Sequence, residues 1–418
     1  MDTSPHPQDD APPRTLRPLS AVLAAQAVAW SGTRLSAIAL PWFVVTTTGS
    51  ATQTGAVVFA QMAPHVVAQV LTSPLIDRLG ARPVSILGDL VATAAMITIP
   101  VLYVADALPL WGLMALVAVV GAADGPANIA KTVFIPAATR VANVPLERGT
   151  GLSSALERTA STVGPALAGV TVAAVGGIYA LAITAAFFSL GAVIIAVFRP
   201  THVPERSTDT YVGQLRAGVH GLFRDRLLRT LTLTITVTNL LDIAIASVLL
   251  PVWVHTHGHD ASVYGLVMAV MSATSIGASL VAAGAGHRIP RRAAYVIGMV
   301  VGGVPRFLVL AVGAPLWVVL AVHAVVGFGS GFVNPVAGAV VFERSPQGML
   351  GRIRGVLTAV AWAGMPFGGL AAGGAIAAMG LSGTLLLFGG VYLVAALVPG
   401  LVRDWRAPHP PPGRSPAR

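Results

Sequence analysis

The chain has 418 residues, of which 55% are hydrophobic and only 10% are charged, and its mean hydropathy is +0.78. Soluble domains carry about a quarter charged residues, so this composition excludes a soluble protein and indicates a membrane protein with several spans. The net charge of +10 comes from 26 Lys and Arg against 16 Asp and Glu, but the basic residues are scattered over separate loops, which argues against nucleic-acid binding.

The N-terminal residues 1–17 are polar and rich in proline, and they lack the apolar core of a signal peptide. We therefore expect them to form a disordered tail. The sequence contains no cysteine, which excludes disulfides and thiolate metal sites.

Twelve apolar segments follow, each long enough to cross about 30 Å of hydrocarbon as a helix. They lie at residues 18–46, 54–76, 83–104, 109–135, 148–174, 177–198, 228–254, 262–286, 292–313, 315–342, 352–377 and 381–403. The longest polar stretch separates six segments from six, and its second half has apolar residues and arginines on opposite faces of a helix. The sequence thus predicts an all-α polytopic membrane protein with bundles at 18–198 and 228–403, a cytoplasmic linker with an amphipathic helix at 199–227 and a disordered tail at 404–418.

Arginines mark every second connection between these segments, and the connections in between carry neither Lys nor Arg. By the positive-inside rule, the arginine-bearing connections lie in the cytoplasm. We therefore predict a multi-pass protein of the cytoplasmic membrane with both termini in the cytoplasm.

The connection between the second and third segments contains Asp77, Arg78, Gly80 and Arg82, and a worn copy about 210 residues later keeps only the two arginines. This pattern resembles the signature loop of the major facilitator superfamily. The resemblance implies two pseudo-symmetric six-helix bundles that rock about a central cleft, a parallel repeat. It also implies that these four residues gate the motion, with Asp77 capping the eleventh helix when the cavity opens outward.

The fifth segment contains Gly164, Pro165 and Gly169, which resemble the Gly-Pro motif of the proton-coupled antiporters of the superfamily. These three residues are the other predicted gating residues, because proline and small residues allow bending and close packing. An ordinary kinked packing helix is the alternative.

In the first segment, Leu40-Pro41-Trp42 and Thr48-Gly49-Ser50 resemble the macrolide and multidrug efflux branch. The arginine that other drug antiporters carry in the fourth segment is missing, because its place falls near Gly121.

A few charged residues fall inside apolar segments, where each costs about 3 kcal/mol unless it is paired or faces water. They are functional candidates for that reason. The predicted proton-coupling cluster consists of Asp124 and Glu157, tuned by Arg34, Lys131 and Arg158, with Asp242 nearly alone in the second half. Asp124 and Lys131 are two helical turns apart and share a face. The alternative is a static charge network that holds helices together.

The predicted substrate cavity is mostly apolar, with aromatic and methionine side chains that suit many ligands. Its residues are Trp30, Trp42, Asn239, Trp253, Met268, Met271, Asn334, Trp362 and Phe367. Each of them could instead be a packing residue.

Two other motifs do not predict a site. The tract GPANIAKT from Gly125 is a poor phosphate-binding loop because it lies in a span, so no nucleotide site is expected. The histidines at 255, 257 and 259 lie in an external loop, so no metal site is expected.

These observations predict a transporter, not an enzyme, that exports small hydrophobic or amphipathic compounds, including drugs and antibiotics, in exchange for protons. It would need no cofactor and would act as a monomer in the bilayer. Export of one native metabolite, such as a siderophore or a self-made antibiotic, remains an alternative. A non-transporting membrane sensor or scaffold is the alternative of another class.

Overall fold

The computed structural model describes residues 16–70, 72, 76, 79–198, 211–285, 290–346, 349–402 and 405. Within these residues the chain is helical and contains no strand, and nine helices are long and apolar enough to cross a membrane. One of the nine, Leu350–Leu401, holds two crossings because the chain reverses at Gly380, where φ is +73°. Two less apolar helices, Ala51–Val70 and Leu146–Val175, pack among the others. The predicted twelve-helix, all-α fold is confirmed.

We number the spans in chain order. Spans 1 to 6 are Arg17–Thr48, Ala51–Val70, Ala81–Val104, Leu110–Val133 with the short helix Ile135–Ala142, Leu146–Val175 and Gly177–Phe198. The linker helix is Tyr211–Arg224. Spans 7 to 10 are Arg226–Thr256, Ala261–Ala285, Arg291–Ala311 and Leu316–Arg344, the last broken at Phe332. Span 11 is Leu350–Ala363 with the part of Met365–Leu401 before Gly380, and span 12 is the part after it.

The turns between spans define two sides of the molecule. On the side we call neutral, no turn carries Lys or Arg, and each turn has one residue at positive φ: Gly49, Asp106, Gly176, Gly258, Gly313 and Gly380. That backbone conformation favours glycine, and it lets the chain reverse over very few residues at Gly49 and Gly380. The opposite side, which we call basic, carries the arginines that flank the spans, among them Arg82, Arg140, Arg148, Arg291 and Arg344.

The two halves pack in the same way. Span 4 lies against spans 2 and 3, as span 10 lies against spans 8 and 9. Span 3 lies against span 6, as span 9 lies against span 12, where the ring of Phe307 packs on that of Tyr392. The halves meet where span 2 contacts span 11 and span 5 contacts span 8. This repeated arrangement matches the predicted pair of pseudo-symmetric bundles.

The linker helix Tyr211–Arg224 lies within the predicted linker and packs on the start of span 11. A Cβ built at Gly218 would lie 2.7 Å from the carbonyl oxygen of Arg352, and Leu222 is fully buried. The linker helix is therefore attached to the second half. Trp405, placed in the predicted C-terminal tail, donates to the carbonyl oxygen of Pro399 at 2.8 Å. Of the predicted N-terminal tail, only Leu16 and Arg17 are described, and Arg17 is already the first residue of span 1, while the rest of both tails lies outside the described residues.

Span 7 contains one π-helical turn, Ile245–Leu249, in which the N–H of Leu250 donates five residues back. The next donor in that register would be Pro251, which has no N–H, so the carbonyl of Ala246 lacks a helical partner. The hydroxyl of Tyr264 in span 8 donates to this carbonyl and lies 3.5 Å from the carbonyl oxygen of Ala37 in span 1. Buried Tyr264 thereby joins the two halves.

Candidate functional site

A cavity of about 530 Å³ lies between the two halves and is lined by spans 1, 2, 4 and 5 of the first half and spans 7, 8 and 11 of the second. Cavities of this size hold drug-sized molecules. Its apolar wall carries Trp30, Met62, Tyr264, Met268, Trp362 and Met365. The first half supplies the ionisable groups, Arg34, His65, Asp124 and Glu157.

The halves are in close contact near the neutral side. A Cβ built at Gly169 of span 5 would lie 2.7 Å from the Cα of Gly265 in span 8, and one at Gly373 of span 11 would lie 2.8 Å from the carbonyl oxygen of Ala51 in span 2. Contacts this short leave room for hydrogen only, so the glycines allow the backbones of the two halves to touch. The cavity is therefore closed on the neutral side.

The same helices separate toward the basic side. A Cβ built at Gly151 of span 5 or at Gly277 of span 8 would meet no atom within 4 Å. The lining reaches Gln69 in span 2 and Thr132 in span 4, close to the basic-side ends of both helices. The cavity therefore opens toward the basic side.

Asp124 lies in the wall of the cavity and its side chain is only 8% exposed. Its Oδ1 accepts from Asn128 Nδ2 at 2.8 Å and from Thr33 Oγ1 at 3.3 Å. Its Oδ2 lies 3.9 Å from Nδ1 of His65, whose Nε2 is 2.9 Å from the side-chain amide nitrogen of Gln69. One carboxylate oxygen thus has two neutral donors, and the other faces an imidazole.

Arg34 connects span 1 to span 5. Its Nη2 donates to Ser161 Oγ at 2.8 Å, and its stem packs on Gly164, where a built Cβ would lie 3.0 Å from the Cβ of Arg34. Glu157 lies near enough to interact with the Arg34 charge. Glu157 and Arg158 are both exposed and line a cleft of about 360 Å³ between spans 5 and 8.

Two further ion pairs lie outside the cavity lining. Lys131 is completely buried, and its Nζ donates to Asp89 Oδ1 at 2.8 Å, joining spans 4 and 3. In the second half, Arg306 of span 9 donates to Asp242 of span 7 and lies over the rings of Phe307 and Tyr392, with its guanidinium carbon 5.2 and 5.3 Å from the ring centroids.

Comparison with known proteins agrees with this architecture. The sequence profile of the Major Facilitator Superfamily matches residues 22–240 and 232–418. The chain belongs to the Major Facilitator Superfamily. It is 32% identical over 379 residues to "Multidrug efflux pump Tap" of Mycobacterium tuberculosis (strain ATCC 25618 / H37Rv), covering 88% of this chain and 89% of that protein. The protein of the same name from Mycolicibacterium fortuitum is 30% identical over 377 residues, covering 88% and 91%.

Solved structures give the same fold. The nucleoside transporter NupG superposes with a TM-score of 0.73 at 15% identity, covering 92% of this chain and 98% of that one. A bacterial homologue of the human lysosomal transporter Spinster, solved in an inward-facing and unoccupied conformation, superposes with a TM-score of 0.72 at 13% identity, covering 93% and 97%. The predicted family is confirmed, and the comparisons support the predicted drug efflux transporter.

Within this superfamily fold, the predicted charge cluster is divided among several places. Asp124, Arg34 and Glu157 line the cavity, and Arg158 lines the adjoining cleft. The Lys131 ammonium donates to the carboxylate of Asp89 rather than to Asp124, because a helical face has several neighbours and spacing alone does not choose among them, but it stays near enough to interact with the Asp124 charge. One expectation was wrong: Asp242 is not nearly alone, because Arg306 pairs with it from span 9.

The predicted gating residues also separate. Gly169 and Pro165 lie at the contact with span 8, and Pro165 also lines the cavity, whereas Gly164 packs on Arg34. Gly80 has a φ of +85° directly before span 3, and Arg82 Nη2 donates to the carbonyl oxygen of Ala196 in span 6 at 3.0 Å, within the first half. Asp77 and Arg78 lie outside the described residues.

Of the predicted cavity residues, Trp30, Met268 and Trp362 line the cavity and Met271 lines the cleft. The other five belong elsewhere. Trp253 is buried and stacks on His257, with ring centroids 4.3 Å apart, and Trp42 meets His255 edge-on. Asn239 donates to the carbonyl oxygen of Ala361, Asn334 is exposed, and Phe367 is 54% exposed beside Phe59. Residue type predicted that these side chains line the cavity, but the rotation of each helix about its axis points them elsewhere.

His255 and His257, which were considered as metal ligands, pack on the rings of Trp42 and Trp253. Among the described residues, no three His, Asp or Glu side chains come together in a group that could hold a metal ion.

Span 2 holds the most informative residues that sequence reasoning missed. Gln61, His65 and Gln69 line the cavity and follow one another at intervals of four, so they share one face of the helix. A polar stripe of this spacing in an apolar segment indicates a helix face that borders a polar space. Gly121 of span 4 packs on the same helix, since a Cβ there would overlap the carbonyl oxygen of Gln61.

Proposed function

We propose that this member of the superfamily is a multidrug efflux transporter that exchanges small hydrophobic or amphipathic compounds for protons. The observation that carries the proposal is the cavity between the halves, closed on the neutral side, open toward the basic side and holding Asp124 in its wall. The Tap relatives are named multidrug efflux pumps, which supports the same activity.

The apolar wall suits substrates of varied shape. Methionine side chains are flexible and polarisable, and Met62, Met268 and Met365 adapt to different outlines without strict hydrogen-bond geometry. Trp30 and Trp362 offer flat apolar surfaces for aromatic compounds. Such a wall offers contact area without requiring one particular ligand.

Asp124 is the proposed proton carrier. Because Thr33 and Asn128 both donate to Oδ1, a proton can bind at Oδ2 while both hydrogen bonds remain. The protonated carboxyl is neutral and tolerates the apolar closed state, whereas the carboxylate favours an open, hydrated cavity or a cationic group of a substrate. Proton and substrate would thus compete for one site, which is the basis of exchange.

The other ionisable residues take secondary roles in this proposal. Glu157, Arg34 and Arg158 set the charge at the mouth of the cavity beside Asp124. Asp242 with Arg306 is a second candidate for proton binding, because the Asp242 side chain is 42% exposed. Lys131 with Asp89 acts as a structural pair, since both side chains are buried and paired with each other.

We further propose that the basic side is the cytoplasmic side of the cytoplasmic membrane, with both termini there, because arginines concentrate in cytoplasmic loops. The cavity would then open toward the cytoplasm, the compartment from which an exporter takes its substrate. The proton gradient would drive the exchange without a cofactor, and one chain would suffice because the cavity lies within it.

Accumulation of ethidium, in cells with and without the protein, tests the proposal. We expect lower accumulation in cells that make the protein, and we expect a protonophore to remove the difference. Asp124→Asn should behave like the empty cell, whereas Asp260→Asn, which changes an exposed carboxylate on the neutral side, should behave like the wild type. A reduction in accumulation that persists in the presence of the protonophore would exclude proton exchange. Equal accumulation in cells with and without the protein, for every dye of a panel, would exclude multidrug export.

A further inference from the structure

The cleft between spans 5 and 8 differs in chemistry from the central cavity. Six of its ten lining residues carry hydroxyl groups: Ser154, Ser161, Thr162, Ser272, Ser275 and Ser330. Glu157 and Arg158 add a carboxylate and a guanidinium. The central cavity, by contrast, presents tryptophan and methionine side chains over most of its wall.

The two spaces adjoin. Glu157 lines both of them, and Arg34, which lines the cavity, donates to Ser161, which lines the cleft. Along span 8, Met268 lines the cavity, and Ser272 and Ser275 line the cleft one and two turns further on. A molecule longer than the cavity would therefore meet apolar side chains at one end and hydroxyl groups at the other.

The cleft has hydrogen-bonding capacity to spare. The hydroxyls of Ser154 and Ser272 have no hydrogen-bond partner among the described residues, and they come from opposite halves of the protein. Ser330 Oγ is 3.3 Å from Ser275 Oγ, a weak contact that a ligand hydroxyl can replace. Hydroxyls donate and accept, as sugar hydroxyls do, and the carboxylate and guanidinium strengthen such contacts.

We infer that the cleft is a polar subsite that binds the hydroxyl-rich part of an amphipathic substrate, such as a sugar substituent, while the central cavity binds its apolar part. This inference rests on the proposed function, because it assigns a substrate class to the same transport site. It adds that glycosides of apolar compounds are preferred to the same compounds without the sugar.

Binding of 4-methylumbelliferone and its β-glucoside to the purified full chain in lipid nanodiscs tests the inference. The two compounds share one apolar ring system and differ by the sugar. We expect the glucoside to bind about tenfold more tightly, the gain of one to two net hydrogen bonds. In the double variant Ser154→Ala with Ser272→Ala, we expect this preference to disappear while affinity for 4-methylumbelliferone is unchanged.

The matched control is Thr159→Ala with Ser279→Ala on the same two helices. Their hydroxyls donate to carbonyl oxygens of their own helices, at Ala155 and Ser275, and Ser279 also contacts Gly331, but neither residue lines the cleft. This control should keep the preference for the glucoside. A preference that persists without Ser154 and Ser272 hydroxyls, or a glucoside that binds no better than the aglycone, would mean that the cleft holds only water.

The dye accumulation experiment separates this inference from the proposed function. Export of ethidium together with no glucoside preference overturns the cleft subsite and leaves the exporter. Failure to export any dye, together with a preference for the glucoside that depends on Ser154 and Ser272, overturns multidrug export and keeps the subsite.

Discussion

Asp89 and Asp124 lie on neighbouring helices of the first half, and both are buried, yet their surroundings differ. Asp89 meets Lys131 Nζ at 2.8 Å, and both side chains are at most 2% exposed. Asp124 borders the cavity, has two neutral donors and faces His65 at 3.9 Å. A charge inside a span is therefore no guide to function by itself. Access to the cavity and the lack of a tightly bound cation separate a candidate proton carrier from a structural pair.

The largest effect on stability is expected at Asp89. Asp89→Asn leaves the Lys131 ammonium buried without its counter-charge, and breaking a buried pair in this way costs about 3–5 kcal/mol. We expect a much lower melting temperature of the purified protein and little folded material in the membrane. Replacing both partners by apolar residues, as Asp89→Leu with Lys131→Met, should recover most of the loss. A single variant that melts like the wild type would contradict the structural assignment.

Asp124→Asn should reduce transport strongly and stability only slightly. Asparagine retains an acceptor for Thr33 and Asn128, so the melting temperature should change far less than in Asp89→Asn. Proton-driven export should fall by at least about tenfold, because a charged hydrogen-bonding group is worth about 1.5–3 kcal/mol. The measurement is substrate transport in proteoliposomes under an imposed pH gradient. Asp124→Glu, which keeps the carboxylate, should retain part of the activity.

His65→Gln should have an intermediate effect. Glutamine keeps a polar side chain next to Gln69 but removes the imidazole that faces Asp124 Oδ2. We expect a several-fold slower transport rate with little change in substrate affinity, since a single partly exposed side-chain contact of this kind is worth about 1 kcal/mol. His220→Gln on the exposed face of the linker helix is the control. Equal rates for His65→Gln and the control would remove His65 from the mechanism.

The smallest effect is expected at Asp260, an exposed carboxylate. Its Oδ1 accepts from the N–H of Ser262 at 2.9 Å at the start of span 8, and the Ser262 hydroxyl, followed by backbone N–H groups, lowers the pKa of the Asp260 carboxyl. The folded protein therefore favours the charged form, so this stabilisation is present above about pH 4 and is lost as pH falls through the lowered pKa.

Asp260→Ala should cost about 1 kcal/mol at neutral pH through loss of this helix cap, and Asp260→Asn should cost less because asparagine caps equally well. Melting temperatures at neutral and strongly acidic pH provide the measurement. The difference between Asp260→Ala and the wild type should shrink in acid, and a difference that is the same at both pH values would rule out the carboxylate as its source.

The sequence predicted the helices far better than the contacts. Apolar length identifies spans because a crossing helix needs about 20 apolar residues. It even located Leu146–Val175, whose lower hydropathy reflects Glu157 and Arg158 at the cleft. Pairing across helices depends on rotation and tilt, which composition does not encode. For this reason the sequence did not predict the pairing of Arg306 with Asp242.

The sequence predicted the apolar character of the cavity but not which residues line it. Trp30, Met268 and Trp362 line it as expected, while Trp253 has the same residue type and packs on His257 in a turn region. The polar stripe of span 2 could have been found by its spacing alone. The stripe carries no formal charge, but a neutral histidine or glutamine in a span also needs a polar partner, so its spacing marks a polar surface.

The close approach of Gly121 to Gln61 limits which side chains position 121 can hold. Even a methyl group there would overlap the carbonyl oxygen of Gln61 in span 2, so an arginine at position 121 does not fit this packing. Span 2 would have to shift first. A variant that introduces only Gly121→Arg into this scaffold should therefore misfold before it can change ion coupling.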